Sequence, residues 1–158
     1  MKQISGKRAK TDADYQEMAR IEWYASLYLD KSRVCVPSLV LESALVAGAR
    51  KLKLGQQTQA GMFVPSNMLL EFDGSDLTPD QLWERDQNRL TVAVRIQRNR
   101  VMRTRFTCEE WAGNFEVEYD DSTINRQQII DLVDSSGAVV GLCDWRPRFG
   151  RFQAEAIA

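Results

Sequence analysis

Apolar positions recur along this chain with two periods, and the switches between them mark its elements. From Leu90 to Gln97 the period is two. Leu90, Val92, Val94 and Ile96 fall on one face and Thr91, Ala93, Arg95 and Gln97 on the other, as in a half-exposed strand. From Ser38 to about Leu54 the pattern is helical, with Leu41, Ala44, Leu45, Gly48, Ala49 and Leu52 on one stripe, Ser38 as cap and Gly55 as stop. Thr11 with Asp14 predicts an N-cap and a short helix to about Arg20. Trp23, Tyr24, Leu27, Tyr28, Leu29, Val34 and Val36 suit strands, and Asp30-Lys-Ser-Arg33 is a turn signal, so a hairpin is expected over residues 21–36. Met62–Val64 and Met68–Phe72, split by Pro65-Ser-Asn67, predict strand, break, strand, and Thr78-Pro79 opens a short helix to about Trp83. Phe115–Tyr119 reads as a strand and Ile124–Val133 as a helix ended by Gly137. A last strand sets Phe152, Ala154 and Ala156 against Arg151, Gln153 and Glu155.

From residue 21 the order is strand, helix, broken strands, strand, helix, glycine-rich loop, strand. This predicts an α+β fold with a ferredoxin-like, RRM-like antiparallel sheet. Two helices would cover one sheet face, the other would be free to bind, and a glycine-arginine loop would precede the last strand. A chain of 158 residues has the common size of one domain, so a basic segment with a short helix (1–20) and a single domain (21–158) are expected. No apolar run nears the roughly 18 residues of a membrane span and the first residues lack a secretory apolar region, which predicts a cytoplasmic protein without a membrane partner.

The net charge of −1 conceals segregation. Lys2, Lys7, Arg8 and Lys10 open the chain without an acid, and Arg95, Arg98, Arg100, Arg103 and Arg105 form an acid-free block. Glu109, Glu110, Glu116, Glu118, Asp120 and Asp121 form an acidic one. There is no histidine, which removes the commonest general base, the commonest metal ligand and every Ser-His or Cys-His pair. Cys35, Cys108 and Cys143 have neither disulfide nor zinc spacing. Binding without catalysis, cofactor or metal is expected.

Two segments carry candidate chemistry. In Gly141–Phe152, glycines allow close backbone approach, Arg146, Arg148 and Arg151 supply planar donors for phosphate, and Trp145 and Phe149 supply faces for base stacking. The competing role is structural, with Asp144 pairing an arginine, Pro147 fixing a turn and Trp145 filling the core. The block from Arg95 to Arg105 would extend past the sheet edge as a mobile basic hairpin gripping phosphates. Alternatively it is a solvated face, or a patch meeting the acidic block of a neighbouring copy in a self-assembling oligomer. Glu109-Glu110 and Asp120-Asp121 raise a metal-dependent nuclease as a minor alternative.

The element order, with Val-Cys-Val-Pro-Ser-Leu-Val-Leu-Glu-Ser-Ala-Leu (34–45) and Gly-Leu-Cys-Asp-Trp-Arg-Pro-Arg-Phe-Gly-Arg-Phe (141–152), resembles the repeat-associated mysterious protein (RAMP) superfamily, the RNA-binding backbone subunits of CRISPR effectors. The later motif also looks like the ending of small uncharacterised proteins of tailed phages. The loop is less glycine-rich than in the CRISPR subunits, and a first strand with a glycine signature is missing. The resemblance implies a phage or defence-associated protein, self-assembling and non-catalytic, whose partner is single-stranded DNA or RNA. The alternative is a phage protein that inhibits or mimics a host defence complex through protein contacts.

Overall fold

The computed structural model describes residue 6 and residues 9–157; Lys2, Lys7 and Arg8 of the basic opening lie outside the described residues. The chain is α+β, and it divides into two compact units, each made of two separated stretches. The first comprises residues 1–35 with 69–113, the second residues 36–68 with 114–158.

In the first unit, α1 (Asp12–Tyr24) starts from the expected capping box, the Thr11 hydroxyl accepting from the Asp14 amide. It runs past Arg20, so Trp23 and Tyr24 are helical rather than strand residues. The reason is packing: Trp23 is fully buried, donates its indole N–H to the Asn88 carbonyl at 2.8 Å, and meets Tyr24, Trp83 and Phe106 edge-on at 5.0, 5.4 and 6.0 Å. Each such pair contributes about 1 kcal/mol beyond the area it buries. The expected hairpin is shorter, β1 (Leu29–Asp30) with β2 (Arg33–Val36), turning through Lys31 and Ser32 at φ 46° and 71°.

In the second unit, α2 (Ser38–Lys51) buries the expected stripe of Leu41, Ala44, Leu45, Gly48 and Ala49. Its N-cap is Pro37, and the Ser38 amide is satisfied instead by the Asn67 side chain at 3.0 Å. Gly55 does not close this helix. Lys53 takes the left-handed position (φ 63°) and Gly55 begins a short helix, α3 (Gly55–Gly61). Along the chain, β3 (Met62–Phe63), β4 (Met68–Leu69), which spans the boundary at 68/69, and β5 (Glu71–Phe72), in the first unit, keep the expected interruption at Pro65–Asn67.

Returning to the first unit, α4 (Pro79–Trp83) has a Thr78–Gln81 capping box. Strand β6 (Arg89–Ile96) pairs in register with β7 (Asn99–Phe106), and β8 (Trp111–Ala112) pairs with β5. In the second unit β9 (Glu118–Tyr119) pairs with β3, and α5 (Arg126–Ser135) packs on α2. Gly137 does not end this helix; a wide turn carries on through Val140 and Gly141 (φ 76°) closes it.

Among the described residues the strands make four small sheets, β1-β2-β4, β3-β9, β5-β8 and β6-β7, rather than one sheet with two helices on a face. Residues 151–157 form no ladder. The alternation expected there is kept by Phe152 and Ala154, half-buried between exposed neighbours, while Ala156 is exposed. Among the described residues no helix is long and apolar enough to cross a membrane.

Candidate nucleic-acid interface

The hairpin β6–β7 is built by its sequence period and held by α1. Leu90, Val92, Val94 and Val101 are half-buried, while Thr91, Ala93 and Arg95 are exposed. At its base the buried Glu22 carboxylate takes the Arg103 guanidinium on one oxygen and the Thr104 amide, at 3.1 Å, on the other. Ser26 Oγ accepts from the Phe106 amide at 2.9 Å, and Asn88 exchanges hydrogen bonds with Thr107 at 3.0 and 3.3 Å. The strand edge is thus capped next to the helix. Beyond that clamp the hairpin pairs only with itself.

The arginine block divides accordingly. Arg95 on β6, Arg98 in the turn and Arg100 on β7 are exposed, and among the described residues they make no ion pair. Arg95 lies directly opposite Arg100. Arg103, expected among the phosphate-holding residues, is engaged by Glu22 at the hairpin base. Arg105 is half-buried and turns Nη1 to the Thr104 carbonyl at 3.1 Å.

The loop 141–150 lies in the second unit and closes on itself. The Leu142 amide donates to the Gly150 carbonyl at 2.9 Å and the Phe149 amide to the Trp145 carbonyl at 3.2 Å. Gly150 sits at φ 72° with Leu142 so close that a Cβ would stand 2.1 Å from its carbonyl oxygen, so only glycine fits. The Arg146–Pro147 peptide bond is cis. Trp145 is half-buried and meets Phe149 at 6.0 Å, and the Arg148 guanidinium stands 6.0 Å over the Phe149 ring. Arg151 donates Nε–H to the Pro147 carbonyl at 2.9 Å, bracing the loop, while Arg146 and Arg148 are exposed at its tip.

Comparison with family models, curated proteins and solved structures returns no match. What the two segments can do is therefore set by their own chemistry. Both offer guanidinium groups on ordered backbone, and the loop adds an aromatic face, Phe149, that is 40% exposed. Of the acidic pairs, Glu109 and Glu110 belong to the first unit and Asp120 and Asp121 to the second. Asp120 serves a turn, accepting from the Ser122 amide and hydroxyl at 2.9 and 2.8 Å. Among the described residues no group of three or more His, Cys, Asp or Glu side chains could hold a metal ion.

Sequence reasoning missed Glu22, whose partner lies 81 residues away, and the amides Gln97 and Asn99 at the hairpin tip. The tip was findable in one respect. Two residues, Gln97 and Arg98, separate Ile96 from its partner Asn99, the spacing of a tight hairpin, although neither is a favoured turn residue.

Proposed function

We propose that this chain is a non-catalytic nucleic-acid-binding protein of a phage or a defence system, self-assembling, with single-stranded DNA or RNA as its ligand. The observation that carries the reading is the hairpin tip, where Arg95, Arg98 and Arg100 are exposed without an ion pair among the described residues. No acid occurs between Asp86 and Glu109. Arg146, Arg148 and Arg151 with Phe149 and Trp145 supply phosphate donors and a stacking face in the second unit. Of the ferredoxin-like plan the reading keeps the helix pair α2 and α5 and the loop that follows it. The relation to the RAMP superfamily stands as a likeness of the 34–45 and 141–152 motifs, and the phage or defence setting comes with it. Self-assembly is supported by the opposed charge of the 95–105 and 109–121 blocks.

The test is binding of a labelled 30-nucleotide single strand over a salt series. The six exposed arginines of the two segments, set on phosphate, give a log–log slope of about −4.2 for single strands. Arg146→Ala with Arg148→Ala should lower the affinity and leave the thermal unfolding curve in place. No retardation even at low salt would sink the reading. A protein partner from a host defence complex is the second reading, favoured by Leu39 on α2, whose side chain is 75% exposed. Under it, binding to nucleic acid is absent and Leu39→Asp abolishes the interaction.

A further inference from the structure

The β6–β7 hairpin has features that a single strand would leave unused. It carries no aromatic side chain from Arg89 to Arg105, so a single strand would be held there through its phosphates alone, without base stacking. Its tip instead presents Gln97, Arg98, Asn99 and Arg100 in succession, all exposed. Amide side chains pair bidentately with the adenine edge and guanidinium groups with the guanine edge in a major groove, and an apolar side chain such as Met102, 55% exposed, can meet the thymine methyl.

The dimensions agree. Two strands about 4.8 Å apart, with their side chains, make a ribbon on the order of 10 Å across, against a B-form major groove about 12 Å wide. From Thr104, where Glu22 holds the strand, to Asn99 is a reach of about 17 Å at about 3.4 Å per residue, twice the groove depth of about 8.5 Å. Arg95 directly opposite Arg100 is a like-charge pair that destabilises an isolated ribbon. Phosphates on either side of a groove relieve that repulsion.

Resting on the nucleic-acid reading above, we infer that the hairpin is a groove-reading ribbon whose ligand is double-stranded B-form DNA, entered from the major groove. Duplex RNA is excluded from it, because the A-form major groove is too narrow for side chains to read.

The experiment uses the full chain with a 30-base-pair DNA duplex, the same duplex in RNA, and one strand alone. Expected is binding of duplex DNA that weakens at least tenfold in Arg95→Ala/Arg98→Ala/Arg100→Ala, with the salt slope reduced by about 2.7 as three phosphate contacts are lost. Gln97→Ala/Asn99→Ala should flatten the preference among duplex sequences and leave the salt slope unchanged. Glucosylated hydroxymethylcytosine, which fills the major groove, should block binding, and netropsin, which fills the minor groove, should not compete. Unchanged unfolding curves for both variants show that the fold is intact. Single-strand binding without duplex binding overturns the groove assignment and leaves the nucleic-acid reading standing. Duplex binding indifferent to the arginine variant, or competed by netropsin, also overturns it. No binding to any of the three ligands overturns both.

Discussion

Glu22 decides where the hairpin points. It is 5% exposed, and its oxygens take a guanidinium and a strand amide that would otherwise lack an acceptor. Breaking a fully buried pair from one side costs about 3–5 kcal/mol, and the 27% exposure of Arg103 reduces this, so Glu22→Ala should lose about 2 kcal/mol in urea unfolding. Glu22→Gln keeps an acceptor and should lose about half as much. An alanine variant as stable as the parent would show that the clamp does not hold. Asp120 makes a smaller contribution with a pH signature. Hydrogen bonds from the Ser122 hydroxyl and amide, with a lesser one from Thr123, hold its carboxyl below the usual range. A depressed folded pKa stabilises the fold above the unfolded pKa, about 3.9, and this is lost as pH falls through the folded value. The melting-temperature difference between parent and Asp120→Asn should therefore be full at neutral pH and shrink below about pH 4. A difference that does not change with pH would remove the carboxylate from the account.

At the scale of elements, the close approach of α2 to the end of α5 rests on Gly48. A Cβ there would stand 2.0 Å from Ser136 Oγ and 2.9 Å from the Leu132 carbonyl oxygen. Alanine raises helix propensity by about 1 kcal/mol, but overpacking of a dry contact costs about 1–3 kcal/mol. Gly48→Ala should therefore melt at lower temperature; a higher melting point would mean that the helices separate at little cost. Which elements were legible follows from where their information lies. The α2 stripe and the β6 alternation are local periods, and the structure covers most of each, while Leu52 and Ile96 at the ends of the two patterns are exposed. The Thr11 and Thr78 caps are local too. The end of α1 was not legible, because Trp23 and Tyr24 have strand propensity and are helical only through contacts with Trp83 and Phe106 far along the chain. Residues 151–157 show the complementary failure: their alternation reports which side is covered, while a ladder needs a partner strand that the sequence cannot name. The arginines divide in the same way. Arg95 and Arg103 look alike in sequence, and only the distant Glu22 makes one an anchor and leaves the other exposed.

For the whole molecule, the chain passes between its two units three times, at 35/36, 68/69 and 113/114, so no single cut isolates either one. Truncation after Gly113 removes α5 and leaves the Leu41 and Leu45 stripe of α2 without the helix it packs on; that fragment should aggregate. Excision along the unit boundary has a different expected outcome. The Leu70 amide donates to the Val34 carbonyl at 3.0 Å, so the ends at Cys35 and Leu69 are close, and a linker of about four glycine and serine residues can join them. The resulting chain of about 84 residues, linker included, retains the Trp23 aromatic cluster, the Glu22 clamp and the whole β6–β7 hairpin, and its small core makes it marginal. It should unfold in one cooperative transition at a lower temperature than the full chain, with the near-ultraviolet signal of Trp23 and Trp83 preserved. If the hairpin is the duplex-binding part, this chain should also bind duplex DNA with the Arg95, Arg98 and Arg100 contribution to the salt slope intact, while binding of single strands, to which the loop at 141–150 contributes arginines and stacking faces, should weaken. A folded excised unit that keeps single-strand binding and lacks duplex binding would exchange the roles of the two segments.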